Sequence, residues 1–183
     1  MSVDKAVSKV LPWSAEAART SVRDAGDWDN LYRAQLPRVY NFFRYRLGCT
    51  ADVEDLTATT FEKAWRARHR YRHDVAAFST WLLTIARRVA IDHFRTRRKS
   101  APLEAAAAVA SPDRTPEQDA GLRSDVDRLA ELLATLPPRE REILALKYGA
   151  DMTNRDIARI TGLSESNIGT IVHRTVKDLR ARW

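Results

Sequence analysis

From Trp28 onward, apolar side chains return at three- and four-residue intervals, the spacing of helices that bury one face. Leu31, Leu36, Val39, Tyr40, Phe43 and Leu47 mark a first helix, with Asp27 or Asp29 as its cap and Gly48 as its stop. Pro37 falls inside that pattern and predicts a kink or a break, since proline removes a backbone donor and crowds the preceding turn. Thr50 is placed to cap a second helix, and Asp52, Glu54 and Asp55 in its first turns favour the positive end of the helix dipole. Leu56, Thr60, Phe61, Ala64 and Trp65 give that helix an inward face. A third helix spans Phe78–Arg98, with Phe78, Leu82, Ile85, Ala86 and Val89 on one stripe. No run alternates as a strand does, so this half reads as all-α.

The pattern lapses over residues 100–124, where Pro102, Pro112 and Pro116 and an alanine run describe a linker, with a fleeting helix at Leu103–Ala110. It resumes at Ser124, a cap for a helix facing inward through Val126, Leu129, Leu132, Leu133 and Leu136. Pro137-Pro138 ends it and pre-sets the next start. That next helix carries Ile143, Leu144 and Leu146 and stops at Gly149. The chain thus divides into an extension (1–27), a first helical lobe (28–99), a linker (100–124) and a second helical lobe (125–183).

The last lobe ends in the sharpest motif. Thr153 caps a helix with Asp156 three residues on, as in a capping box, and Ile157 and Ile160 point inward. Ala158 sits where two helices cross, and Gly162 supplies a left-handed turn. Ser164 caps a second helix buried through Ile168, Ile171, Val172, Val176 and Leu179. Ser166, Asn167, Thr170, His173, Arg174 and Lys177 are left outward, which suits a helix lying in a major groove. Gly169 weakens this helix by up to ~1 kcal/mol, which suggests a close backbone approach. A plain helical hairpin is the alternative reading.

Charge sharpens the picture. Residues 28–98 carry 14 basic and 7 acidic side chains, a surplus equal to the whole formal net charge of +7. From Arg66 to Lys99 ten Lys/Arg face only Asp74 and Asp92, with Tyr71, Phe78, Trp81 and Phe94 between them. Cations release counterions from phosphates, while flat rings stack on unpaired bases. Arg87, Arg88, Arg95 and Arg98 fall opposite the apolar stripe, a nucleic-acid face or an ordinary solvated one. Phe78 belongs with the core, whereas Tyr71, in a loop with His73 and Asp74, is the better base contact. Cys49 is the single cysteine, so no internal disulfide forms and a reducing, cytoplasmic setting is expected. No apolar run approaches membrane-spanning length. His69, His73, His93 and His173 lack metal-ligand spacing and no glycine-rich phosphate loop occurs, so neither catalysis nor a metal or cofactor is expected.

Four segments together resemble a bacterial sigma factor of the extracytoplasmic-function group: Asp52–Trp65 (DVEDLTATTFEKAW), Phe78–Arg95 (FSTWLLTIARRVAIDHFR), Leu136–Leu144 (LPPREREIL) and the helix-turn-helix. The likeness covers about residues 28–183, the first lobe resembling the family's region 2 and the second its region 4. It implies a subunit that binds core RNA polymerase and directs it to promoter DNA. Asp52, Asp55 and Thr60 would then meet the polymerase clamp. Tyr71 to Ala77, including Arg72, His73 and Asp74, would capture −10 bases, while Arg87, Arg88, Arg95 and Arg98 would hold the strand. Arg155 and Ser164 would join Ser166, Asn167, Thr170, His173, Arg174 and Lys177 on the −35 duplex. The family often has Gln where Ala58 stands and Asn where Arg88 stands; the second exchange bears on −10 base preference. Family members are often held by an anti-sigma factor, though nothing in this sequence identifies one. The rival expectation is a stand-alone regulator with a LuxR-type helix-turn-helix, which would bind duplex DNA without polymerase.

Overall fold

The structure is a computed structural model that describes residues 25–48, 51–100 and 125–183. Its elements are α1 (Ala25–Leu47), α2 (Asp52–Ala67), a 3-10 turn (Arg68–Arg70), α3 (Phe78–Ser100), α4 (Asp125–Ala134), α5 (Pro138–Leu144), a π turn (Ala145–Gly149), α6 (Asn154–Thr161) and α7 (Glu165–Arg182). No strand occurs among the described residues, as the apolar spacing requires. None of the described helices is long and apolar enough to cross a membrane. The expected caps Thr50 and Ser124, Cys49, the helix at Leu103–Ala110 and the inward side chain of Val126 lie outside the described residues.

α1 corrects one expectation and narrows another. It begins at Ala25, so Asp29 sits inside it, paired with Arg33 at 2.7 Å, and neither Asp27 nor Asp29 caps it. It also runs through Pro37 without ending. A proline costs a helix interior ~3 kcal/mol, and burial offsets that cost here. Leu31, Gln35, Val39, Phe42 and Phe43 are all sealed along the same helix. Gly48 ends it as expected, at φ 84°, its N–H donating to the Arg44 carbonyl at 2.8 Å.

In α2 the buried stripe is Val53, Thr57, Thr60, Phe61 and Ala64. Trp65, expected inward, is instead 38% exposed. Two threonines tolerate the interior because each hydroxyl donates to the carbonyl one turn back, Thr57 to Val53 at 2.7 Å and Thr60 to Leu56 at 2.8 Å. The stripe of α3 is buried at Phe78, Leu82, Ala86 and Val89, and wider than expected, since Leu83 and Ala90 are sealed as well.

The two lobes pack directly on one another, and α1 is the shared wall. The π turn lies against its middle, where a Cβ at Gly149 would sit 2.9 Å from the Asn41 carbonyl oxygen and 3.2 Å from Phe42 Cα. Gly149 therefore ends no ordinary helix. It lets two backbones touch. Arg38 donates through Nε to the Ala150 carbonyl (2.7 Å) and through Nη2 to that of Asp151 (2.6 Å). Two turns along α1, Arg46 Nη1 donates to the Pro138 carbonyl at 2.6 Å. The apolar core is accordingly one cluster running from Leu31 to Leu179.

Candidate nucleic-acid interface

The helix-turn-helix forms as its sequence dictates. Thr153 Oγ1 accepts from the Asp156 N–H at 3.2 Å and donates to its carboxylate at 2.6 Å. Gly162 takes the left-handed conformation (φ 77°) with its N–H on the Ala158 carbonyl, and Ser164 Oγ accepts from the Asn167 N–H at 3.2 Å. Ile157, Ile168, Ile171 and Leu179 are buried. At Gly169 a Cβ would meet only the Asn154 side chain at 3.6 Å, an ordinary contact, so among the described residues no backbone from another element approaches it.

On the outer face of α7, Ser166, Asn167, Thr170, His173, Arg174 and Lys177 are all exposed, and Arg155 and Ser164 flank them. Two of the cations are held by carboxylates. Arg174 pairs with Glu140 at 2.6 Å and Arg155 with Glu165 at 3.1 Å. The second Glu140 oxygen accepts from the buried Thr175 hydroxyl at 3.3 Å, which fixes that carboxylate from below.

In the first lobe, Tyr71 is less free than expected. Its ring stands edge-on to Phe78 (5.4 Å) and tilted against Trp81 (5.3 Å), and its hydroxyl donates to the Ala76 carbonyl at 3.2 Å. Partial burial pushes the phenol above its usual pKa. The ring thus serves as the wall of an aromatic cluster that continues through Trp28 to Trp65. Arg72, His73 and Asp74 are exposed beside it. Arg72 grips Asp74 at 2.7 Å, and that hydrogen bond lowers the carboxyl pKa. Arg88, Arg95 and Arg98 project from α3 into solvent, Arg95 lightly paired with Asp92.

Arg87 does not join them. Its side chain is 29% exposed and donates to Glu142 of α5, Nε to Oε1 at 3.1 Å. Arg46 reaches the same oxygen at 3.6 Å from the other side. Sequence reading missed Glu142, Arg46 and Arg38. A signal existed: the second half of α1 is apolar or aromatic on nearly every side, the mark of a helix buried by two neighbours.

The three residues expected at the polymerase separate. Asp55 is exposed. Asp52 lies between His93 (3.6 Å) and Arg97 (3.7 Å) of α3. Thr60 is fully buried and cannot touch another protein in this arrangement. A place on the inward stripe and a surface contact exclude each other, and packing decides. Among the described residues no cluster of three His, Cys, Asp or Glu is arranged to hold a metal.

Comparison with known proteins agrees with this layout. Residues 31–100 match Sigma-70 region 2, and residues 127–179 match Sigma-70, region 4. The ECF RNA polymerase sigma factor SigE of Mycolicibacterium smegmatis is 33% identical, the match covering 91% of this chain and 68% of SigE. The ECF RNA polymerase sigma factor BldN of Streptomyces coelicolor is 28% identical across 88% of this chain, which spans 62% of BldN's length. In fold, the chain is similar to the sigma factor RpoE of Bartonella quintana, solved in complex with the anti-sigma factor NepR (TM-score 0.71, 23% identity, 86% of this chain and 96% of that one). The match across the first lobe is what a stand-alone LuxR-type regulator would lack. With region 2 and region 4 in that order along an all-helical chain, this protein belongs to the ECF RNA polymerase sigma factors, a family of DNA-binding regulators that direct transcription initiation.

Proposed function

We propose that this chain binds core RNA polymerase, docks α7 on a −35 element as duplex, and uses the first lobe to open and hold a −10 element. The observation that carries the reading is the face of α7. Ser166, Asn167, Thr170, His173 and Lys177 stand exposed above a buried Ile168–Ile171–Leu179 stripe, behind a capped left-handed turn. Such a helix offers hydrogen-bonding side chains to base edges while its fold rests on the opposite side. The first lobe supports the other half of the reading with exposed Arg88, Arg95 and Arg98 next to the Tyr71–Trp81 ring cluster. Stacking returns only ~1–3 kcal/mol per base, so strand opening needs polymerase to hold the DNA and multiply weak contacts by tethering.

Asp55, with Asp52 beside it, is the assigned polymerase contact of α2; Thr60 is not. An anti-sigma factor is a further partner under the same reading, as RpoE has in NepR. The test is reconstituted transcription. Core polymerase plus this protein should give discrete transcripts from promoters mapped by sequencing the starts that appear on overexpression. Absence of any protein-dependent start, with active core enzyme, refutes it. A gel shift without polymerase should show weak duplex binding; tight binding by the free chain would point to a stand-alone regulator.

A further inference from the structure

Between Arg88 and Arg98 the exposed side chains of α3 are charged or hydroxylated with one exception, Ile91, which stands 43% exposed. At helical spacing Trp81, Thr84, Arg88, Ile91, Arg95 and Arg98 share one face. Ile91 is the middle of that row, one turn from Arg88 on one side and one turn from Arg95 on the other. Arg87 is turned off this face by its contact with Glu142, and Asp92, the acid beside it, is paired with Arg95 at 3.3 Å. The core does not account for an isoleucine here, because Val89 and Ala90 are sealed on the opposite side. Helix propensity does not account for it either, since a β-branched side chain loses rotamer freedom in a helix that a straight-chain residue keeps. An aliphatic group between arginines does suit DNA. The cations settle on phosphates, and the group between them meets the 5-methyl of thymine, the apolar mark displayed in the major groove. Position favours paired DNA over opened DNA. Ile91 lies about 15 Å along the axis from Trp81, or about four base steps from any base held at the Tyr71–Trp81 rings.

We propose that Ile91 is a specificity-determining residue: with Arg88 and Arg95 on phosphates to either side, its side chain packs on the 5-methyl group of one thymine in the duplex bordering the opened −10 stretch. The inference rests on the reading of the first lobe as the −10 binder and adds the base feature that this face of α3 reads. Covering one methyl group changes affinity by about four-fold.

The test uses holoenzyme assembled from core polymerase and the full chain, on a promoter mapped by its transcript start. Each thymine of either strand, across the −10 element and the duplex beside it, is replaced in turn by deoxyuridine. That base keeps its pairing and lacks only the 5-methyl group. The half-saturating holoenzyme concentration, read by gel shift, reports affinity. One replacement should weaken binding by about four-fold. With Ile91→Ala the thymine and uracil promoters should bind alike, whereas Ile91→Val, which keeps an aliphatic side chain, should retain most of the difference. Circular dichroism confirms that both variants keep their helices. The proposal is overturned if no methyl group matters, a promoter without thymine in that stretch included. It is overturned equally if the methyl effect is undiminished in Ile91→Ala. Weaker co-elution of Ile91→Ala with core enzyme also overturns it, by making Ile91 a polymerase contact. If the unaltered chain gives no protein-dependent start at all, the −10 reading itself fails, and the proposal falls with it for that separate, recognisable reason.

Discussion

Gly162 and Gly169 lie seven residues apart in the helix-turn-helix, and the structure gives their replacement by alanine opposite signs. Gly169 sits inside α7 at ordinary helical backbone angles, and an added Cβ would meet nothing nearer than the Asn154 side chain at 3.6 Å. Alanine there restricts the unfolded chain and shields the helix backbone, a gain of about 0.5–1 kcal/mol. Gly162 has equally open space around it but holds φ at 77°. A Cβ in that region crowds the following carbonyl and costs about 1–2 kcal/mol. Steric room is therefore sufficient at both sites, and the backbone angle decides the sign. Urea unfolding of the full chain, followed by far-ultraviolet circular dichroism, reads both changes as shifts in midpoint at constant slope. Gly169→Ala should raise the midpoint and Gly162→Ala should lower it. With a urea slope of about 1–3 kcal/mol per molar, a change of 1 kcal/mol moves the midpoint by several tenths of a molar, so both shifts are measurable. If Gly169→Ala lowered the midpoint, some backbone approach to α7 absent from this arrangement would have to exist, and the account of Gly169 as a replaceable glycine would be wrong.

Thr153→Ala removes the acceptor for the Asp156 N–H and should cost ~1 kcal/mol in the same assay; an effect under about 0.3 kcal/mol would show that the cap is idle. Asn167→Ala on the outer face of α7 should leave stability within ~0.5 kcal/mol while weakening duplex recognition by ~1–3 kcal/mol at one base position, read by competition with single-base promoter variants. Thr60→Val should leave polymerase binding unchanged and Asp55→Ala should weaken it, as measured by co-elution with core enzyme; the reverse order would sink the assignment of α2. The Asp74 carboxyl, held low by Arg72, should titrate by NMR below the usual carboxylate range and return toward it in Arg72→Gln. Because the folded value is depressed, the Arg72–Asp74 contact contributes above the ordinary carboxylate pKa and is lost as pH falls through the lowered one.

What the sequence made legible was whatever depends on neighbours in the chain. Caps at Thr153 and Ser164, the left-handed turn at Gly162 and the stripes of α3 and α7 are local matters of spacing and side-chain type, and all stand where the pattern put them. The misreadings share a different cause. Trp65 looked inward because it is large and apolar, but Val53 and Thr57 lie on the true stripe and their burial depends on which helix sits opposite. Pro37 left a kink and a break both open because local cost was all that could be seen; packing on both sides of α1 carries the helix past it without a break. Glu142, Arg46 and Gly149 gain their meaning only from contacts made across 55 residues and more, which no window of the sequence contains.

The near balance of 10 basic and 9 acidic residues in the second lobe has a consequence for how that lobe meets DNA. By net charge alone it is a poor ligand for a polyanion, and the surplus in the first lobe looks like the whole electrostatic case. The placement of the acids changes this. Glu140 and Glu165 hold Arg174 and Arg155, and Glu142 faces the other lobe entirely. Glu140 and Glu165 therefore each offset one cation of the α7 surface while fixing its side chain, and His173 and Lys177 stand exposed beside them. An arginine already held in one rotamer loses less freedom when it meets a phosphate or a base, and that saving is ~0.5–1.5 kcal/mol per ordered side chain. Removing the partner should thus weaken DNA binding although it makes the lobe more positive. Glu140→Gln tests this against the simple electrostatic expectation, which predicts tighter binding and a steeper salt dependence.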